Sequence, residues 1–434
     1  MQLQVMGCDV REVVAAEAKP HAVTFMHNNG LEADHIYKDI DSVANGGGAC
    51  WRCGTVCKVP KIEPDLFVAG YPCQPGSSIR NTHQQVSKPE ANRGHVVACT
   101  IADCIRRFRP RLAVLEHTHA VCHTSMLDGM EQSGIQWMIS KLTDMYWITV
   151  LDLEMDTWVS ISRPRIYILM IRKDVRASVP ADALRTAERL AKSWEHCRRQ
   201  SPSIPLHRFL IQPSHPDWPT HVADTLKATT ASQPAPSVAP HVKRWMAEHP
   251  IWESDVAATR EEWARQGLPG HSANPMRDAE FAGITPEQRP KVRAIANLVL
   301  ISAAIIEGKN VQDPAAVKEL KIGLFMDIAQ SWAFQPKGRT HDLRRLKCLD
   351  IGSPVYSFEA DRVASPIELF RAHGWDFDQV ADMQPLSLAG MSARQAGSLL
   401  GESMAVQSCA VAIGSLVAAA AVAMKDVWPD AVQQ

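Results

Sequence analysis

The sequence predicts an α/β protein built on an open, doubly wound sheet, and three observations predict it. Residues 7–174 alternate short apolar runs with amphipathic stretches, the order that lays strands between covering helices. Two of those runs end in a carboxylate, Glu17 after Val13-Val14-Ala15-Ala16 and Glu116 after Leu112-Ala113-Val114-Leu115. A third, Leu66-Phe67-Val68-Ala69, runs into Gly70-Tyr71-Pro72-Cys73-Gln74-Pro75-Gly76, a rigid turn that leaves Cys73 where the strand gives out. Ligand crevices of open sheets lie beyond the carboxyl ends of the strands, which makes Cys73 the first candidate nucleophile.

Taken in order, residues 12–17 form a short strand, 21–28 a helix, and Ile36-Tyr37-Lys38-Asp39-Ile40 a second strand end that carries Asp39. An acid at a strand end in a nucleotide-binding sheet accepts hydrogen bonds from ribose hydroxyls; the plainer reading is a solvated side chain. Residues 45–57 read as a loop, in which Cys50, Cys53 and Cys57 offer three thiolates to zinc with no fourth ligand specified. Clustered structural cysteines are the plainer reading there. Apolar positions at helical spacing predict a helix over 96–108, ended by Pro110. Its basic end, Arg106, Arg107, Arg109 and Arg111, reads as a solvated helix terminus before a phosphate contact. A helix over 126–146, a strand over 147–153 and a bent strand over 158–171 follow. Beyond them come a helix at 181–199, a Ser/Pro-rich exposed linker or insertion at 201–239, and helices at 243–266 and 290–309. Ser365-Pro366-Ile367-Glu368 has the logic of a helix start, with Ser365 as N-cap, proline next and Glu368 closing a capping box.

Composition limits the partners. With 46 Lys+Arg and 47 Asp+Glu the formal charge is −1, so no global basic field announces nucleic acid and contact has to come from local patches. His341, Arg344, Arg345 and Lys347 form one such patch, suited to phosphates. Eleven cysteines among 434 residues do not make a disulfide scaffold. Met1 to Gly7 lacks the basic start and apolar core of a secretion leader. A reducing intracellular compartment is expected, which keeps Cys73 a free thiol. The alanine-rich run at 409–424 is short for a membrane span and reads as a buried helix, so no membrane association is expected.

The Pro72-Cys73-Gln74 tripeptide, after an apolar strand and Gly70, resembles the catalytic loop of the cytosine-5 DNA methyltransferases. Glu116 stands like the glutamate of that family's Glu-Asn-Val block, and Arg163-Pro164-Arg165 before Ile166-Tyr167-Ile168-Leu169 resembles its arginine strand. Arg362 to Glu368 and Gly401-Glu402-Ser403-Met404 resemble its last two blocks, all in the family's order. The resemblance implies the S-adenosylmethionine-dependent methyltransferase fold, here with its first strand and glycine-rich loop missing. No Gly-x-Gly turn precedes Glu17, and Gly46-Gly47-Gly48 comes after it, so N-terminal truncation is the expectation, ahead of a partner that supplies the missing part or a permutation of the elements. It implies a catalytic domain begun by 1–174, a helical target-recognition region with a linker over 175–350, and C-terminal blocks over 351–434 that return to the catalytic domain.

The same resemblance implies a cofactor, S-adenosyl-L-methionine, with Glu17 on the ribose, Asp39 and Ile40 near the adenine, Gly70 and Pro72 beside the catalytic loop, and Glu402 and Ser403 closing the pocket. It implies a substrate, double-stranded DNA containing cytosine, read by a monomer in the nucleus of a eukaryote or the cytoplasm otherwise. An RNA cytosine-5 methyltransferase is the enzyme alternative, although the Cys-Phe-Thr element of tRNA-directed relatives is not found. In the resembled mechanism the Cys73 thiolate adds to C6 of a flipped cytosine while Glu116 stabilises the charge at N3. Arg165 contacts the O2 side and Arg163 orients the loop; C5 takes the methyl group, loses its proton, and Cys73 leaves. Three positions depart from the family: His117 and Glu402 replace asparagines and Ile161 replaces a glutamine. With the missing glycine loop they predict cofactor affinity below the family's norm, and a non-catalytic nucleic-acid-binding protein as the competing reading.

Overall fold

The computed structural model describes residues 10–31, 33–70, 89–122, 132–174, 180–201, 203–214, 251–268, 272–286, 288–328, 344–346, 354–375 and 386–423, with isolated positions at 218, 222, 226 and 270. Cys73, Pro72, His341 and Lys347 lie outside the described residues, as does the side chain of Glu402.

The chain opens with β1 (Val14–Ala16), the helix Pro20–Asn28 and β2 (His35–Tyr37), and the two strands pair in parallel. The stretch expected to be a loop is instead a hairpin, β3 (Gly47–Ala49) with β4 (Val56–Lys58), antiparallel with Gly48 opposite Cys57. Each strand is only three residues long and β3 begins with two glycines, too little for the two-residue alternation that marks strands to show.

The centre of the molecule is a four-stranded sheet. β5 (Leu66–Gly70), β6 (Leu112–Thr118), β7 (Tyr146–Glu154) and β8 (Pro164–Arg172) lie in the order β5-β6-β8-β7. β5 and β6 are parallel, whereas β8 runs antiparallel to both β6 and β7, so the sheet is mixed. β6 and β8 read as unbroken apolar runs because both of their faces are covered. Leu112, Val114, Tyr167, Leu169 and Ile171 pack one face against the helices Pro180–Arg199 and Val406–Ala423. Ala113, Leu115, Ile166, Ile168 and Met170 pack the other against Pro89–Phe108 and Gly134–Leu142.

The helix Val406–Ala423 is long and apolar enough to cross a membrane by length and composition, contrary to the sequence expectation that it falls short. Here it is a core helix. Ala183, Ala187 and Ala191, four residues apart, form one buried face of Pro180–Arg199, and Ala412, Ala419 and Ala420 are buried in the same cluster. Small side chains let the two helix backbones approach closely.

Helices Arg289–Glu307 and Pro314–Lys321 build a second core with Phe281, Tyr356 and Phe358, beside the antiparallel sheet of β9 (Phe325–Asp327), β10 (Val355–Ser357) and β11 (Arg362–Val363). The Ser/Pro-rich stretch is not simply an exposed linker, because Leu206, Ile211 and Val222 are buried. Arg362 and Glu368 form a buried two-pronged ion pair of 2.7 and 2.9 Å. Between them they bind the backbone of Ile211: Glu368 accepts its N–H at 2.5 Å and Arg362 donates to its carbonyl at 3.0 Å. The expected helix start is present, with the Glu368 carboxylate accepting from the Ser365 backbone N–H at 2.7 Å.

Candidate active site

Parallel pairing brings the carboxyl ends of β5 and β6 to one edge of the sheet, with Gly70 opposite Glu116. β8 begins at the same edge because it runs the other way, with Thr118 of β6 opposite Arg165. Side chains alternate along a strand, so Glu116 shares a face with Leu112 and Val114, and Arg165 with Tyr167 and Leu169. The two charged groups therefore meet, Arg165 Nε lying 2.9 Å from Glu116 Oε1, both largely buried.

Gly70 closes the other side. A Cβ built on it would stand 2.9 Å from Met404 Cε and 3.2 Å from Glu116 Oε2, closer than ordinary packing allows. Cys73, three residues further along the chain, lies outside the described residues. Arg163, 1% exposed, donates to the carbonyls of Gly401 at 3.2 Å and Ser403 at 2.6 Å, tying the turn before the last helix to the start of β8. Its own backbone N–H is held by Glu154 Oε1 at 2.5 Å.

The structure thus gathers Gly70, Glu116, Arg163, Arg165 and Ser403 at one edge. Gly401 and Glu402 end the helix Ala393–Glu402 instead of opening the final one, and Ser403 caps it with its hydroxyl donating to Leu400 O at 3.0 Å. Tyr167, Met404, Cys409 and His373 had no role in the sequence reading. Burial raises the Tyr167 pKa well above its ordinary value, with Cys409 and Glu116 adding to it, so the phenol beneath the site stays protonated. Burial, then Glu116, pushes the Cys409 thiol up to about 12. His373 is buried on the same side, its pKa lowered to about 3 by burial and by Arg163. No sequence spacing links these residues; only the β8 register and the packing of the last helix do.

Glu17 follows β1, where its Oε1 accepts the Lys19 N–H at 2.7 Å and its backbone is held by Tyr37 O and the Trp51 indole at 2.9 and 2.8 Å. Asp39 caps the helix Ile40–Ala44, accepting from Ser42 N at 2.6 Å, and Ile40 is half-buried. Among the described residues the β1–β2 pair is not hydrogen-bonded into the four-stranded sheet. Cys50, Cys53 and Cys57 gather at the β3–β4 hairpin with His35.

The candidate phosphate contacts are already engaged. Arg344 pairs with Glu307 at 2.7 Å and Arg345 with Asp156 at 2.5 Å. Of the helix-end arginines, Arg106 pairs with Asp144 at 2.8 Å, Arg111 with Asp65 at 2.8 Å, and Arg109 with Asp174. A recess lined by His119, Asp152, Glu154, Glu195 and Arg199 opens beside the start of β8, and its three carboxylates make it unsuited to a nucleic-acid backbone.

The solved structures similar to this chain include three methyltransferases. A structure described as a DNA modification methyltransferase encoded within an E. coli prophage is 14% identical over 41% of this chain, with a TM-score of 0.28, and this chain spans 44% of its length. The Entamoeba histolytica methyltransferase EhMeth is 11% identical over 93% of this chain and 89% of its own, with a TM-score of 0.41. The Dnmt2 methyltransferase of S. pombe is 11% identical over 96% of this chain and 94% of its own, with a TM-score of 0.43. No curated protein matches the chain. The family model of the C-5 cytosine-specific DNA methylases matches residues 1–249, more than half of the 434, in the stretch that carries Gly70, Glu116, Arg163 and Arg165. The chain is a divergent member of the C-5 cytosine-specific DNA methylase family.

Proposed function

We propose that this chain transfers a methyl group to C5 of cytosine in a nucleic acid, through a covalent adduct of Cys73 with the base. The observation that carries the reading is the Glu116–Arg165 pair at the shared edge of β6 and β8, with Gly70 opposite. A carboxylate held by a guanidinium offers an acceptor to the N4 amino group or a protonated N3, and a donor to O2, of a flipped cytosine. Gly70 lets Met404 and the Glu116 carboxylate approach the strand end more closely than a side chain there would allow.

In this reading the Cys73 thiolate sulfur bonds to C6 as the C5–C6 π bond opens, and a proton shared between Glu116 and N3 offsets the negative charge that develops there. S-adenosylmethionine supplies the methyl group. C5 then loses its proton, and the bond between C6 and the Cys73 sulfur breaks. Arg163 is a positioning residue, holding the Gly401–Ser403 turn against β8. For the cofactor, Glu17 fits the ribose, since its Oε2 has no partner among the described residues. Asp39 stands in the same state, its Oδ1 accepting the Ser42 N–H and its Oδ2 without a partner among the described residues, so it too can serve the adenine side.

The polymer is either DNA or RNA, with DNA favoured by the family description. A second reading, a nucleic-acid-binding protein that has lost methyl transfer, is favoured by His117 beside the glutamate. Incubation with labelled S-adenosylmethionine and matched DNA and RNA substrates separates these. Label in cytosine from the parent chain, lowered at least about 100-fold by Glu116→Gln, supports the first reading. Retention of either polymer without label supports the second.

A further inference from the structure

We propose that His35, Cys50, Cys53 and Cys57 bind a single zinc ion that fastens β2 to the β3–β4 hairpin. The ligand atoms of the four residues all lie within 4.8 Å of one another. His35 Nδ1 stands 3.6 Å from the Cys53 sulfur and 4.0 Å from the Cys50 sulfur. A tetrahedral ion with metal–sulfur bonds of about 2.3 Å and a metal–nitrogen bond of about 2.0 Å sets its ligand atoms about 3.6 to 3.8 Å apart. The observed separations need little movement to close on an ion. Three thiols and an imidazole make a soft, closed donor set, which selects zinc over magnesium or calcium and leaves no open position for catalysis.

The backbone is built for the same purpose. Cys50 and Cys53 flank a tight turn in which Gly54 N donates to Cys50 O at 3.0 Å and Cys50 N to Thr55 O at 2.9 Å. Gly54 turns the chain at φ +68°, in the left-handed region, and has open space around its Cα, so its role is conformational. β4 brings Cys57 back opposite Gly48, and an isolated bridge sets Cys50 against Tyr37, two residues from His35. Ligands from three separate segments thus converge, although their spacing in sequence gives no sign that His35 belongs with the cysteines. Cys50 is buried and Cys53 exposed, which leaves a route for the ion to enter.

The ion would also steady Glu17. Trp51, between the first two cysteines, donates its indole N–H to Glu17 O at 2.8 Å and its backbone N–H to Ile36 O at 2.7 Å. Releasing the hairpin loosens the strand end that carries this carboxylate.

The test uses the intact chain, purified under reducing conditions with zinc supplied. The expected result is one tightly held zinc per chain, and cobalt exchanged into the site should show thiolate-to-metal charge-transfer absorption with tetrahedral visible bands. Cys53→Ser, at an exposed position that does not support the fold, and His35→Ala should each abolish stoichiometric zinc. Cys197→Ser, on the exposed face of the helix Pro180–Arg199, should retain it. A parent chain that takes up less than one metal ion and shows no charge-transfer band overturns the proposal. So does a Cys53→Ser chain with an unchanged cobalt spectrum, or a disulfide joining two of the three cysteines.

Discussion

Arg165 and Glu116 stand on adjacent antiparallel strands, guanidinium to carboxylate at 2.9 Å, with side chains only 8% and 12% exposed. At that depth neither charge can turn to water when its partner is removed. Breaking such a pair from one side costs about 3–5 kcal/mol, whereas removing both charges together costs far less. Arg165→Met alone should therefore lower unfolding free energy by roughly 3 kcal/mol in urea, with Glu116→Gln restoring part of the loss in the double variant. Additive effects of the two substitutions would mean that the groups do not interact.

The Arg362–Glu368 pair should behave as a strut between the C-terminal region and the stretch around Ile211. Both side chains are nearly inaccessible and both hydrogen-bond the Ile211 backbone. Glu368→Gln leaves Arg362 buried without its counter-charge, so a loss of several kcal/mol is expected in chemical denaturation. Limited proteolysis should then cut first near residues 201–214. Cleavage confined to other segments would place the strut's role elsewhere.

His373 sets a pH dependence whose sign follows from its burial. Its folded pKa is lowered to about 3 from the ordinary 6.5, by burial first and by Arg163 second. The unfolded chain takes up a proton near pH 6.5 that the folded chain refuses, so this contribution is complete above pH 6.5 and is lost progressively as the pH falls toward 3. Thermal melts at steps between pH 7 and 4 should show the parent losing more stability on acidification than His373→Gln, which keeps a polar side chain but cannot titrate. Parallel curves for the two proteins would remove His373 from the pH response.

How much of this was legible in the sequence depends on whether the information was local. β5, β6 and β8 were readable because each carries an apolar run with a distinctive residue at its end: Gly70, Glu116 and Arg165. The capping box at Ser365 was readable because the N-cap and its glutamate are three residues apart. The β3–β4 hairpin is not legible because strands of three residues, one of them opening on two glycines, are too short to show an alternation. The partners of Arg344 and Arg345 were missed for another reason: Glu307 and Asp156 are distant in sequence, and a basic cluster shows nothing of the acids that fold against it. His35 escaped in the same way, since only the bridge between Tyr37 and Cys50 brings it to the cysteines. The resemblance gives Arg163 the task of orienting the catalytic loop, and no local pattern shows that its guanidinium also donates to two carbonyls at the end of a helix more than two hundred residues away.

The central claim is that the edge formed by Gly70, Glu116 and Arg165 presents cytosine to Cys73. Fluorine at C5 of the base blocks the proton loss that releases the enzyme, so a nucleic acid containing 5-fluorocytosine should hold the protein covalently in the presence of S-adenosylmethionine. The measurement is denaturing electrophoresis of parent and Cys73→Ala chains after incubation with fluorinated DNA and fluorinated RNA. The expected result is a retarded band with the parent chain on one of the two polymers and none with Cys73→Ala. A folded parent chain that forms no adduct on either polymer, or a Cys73→Ala chain that still forms one, contradicts the claim.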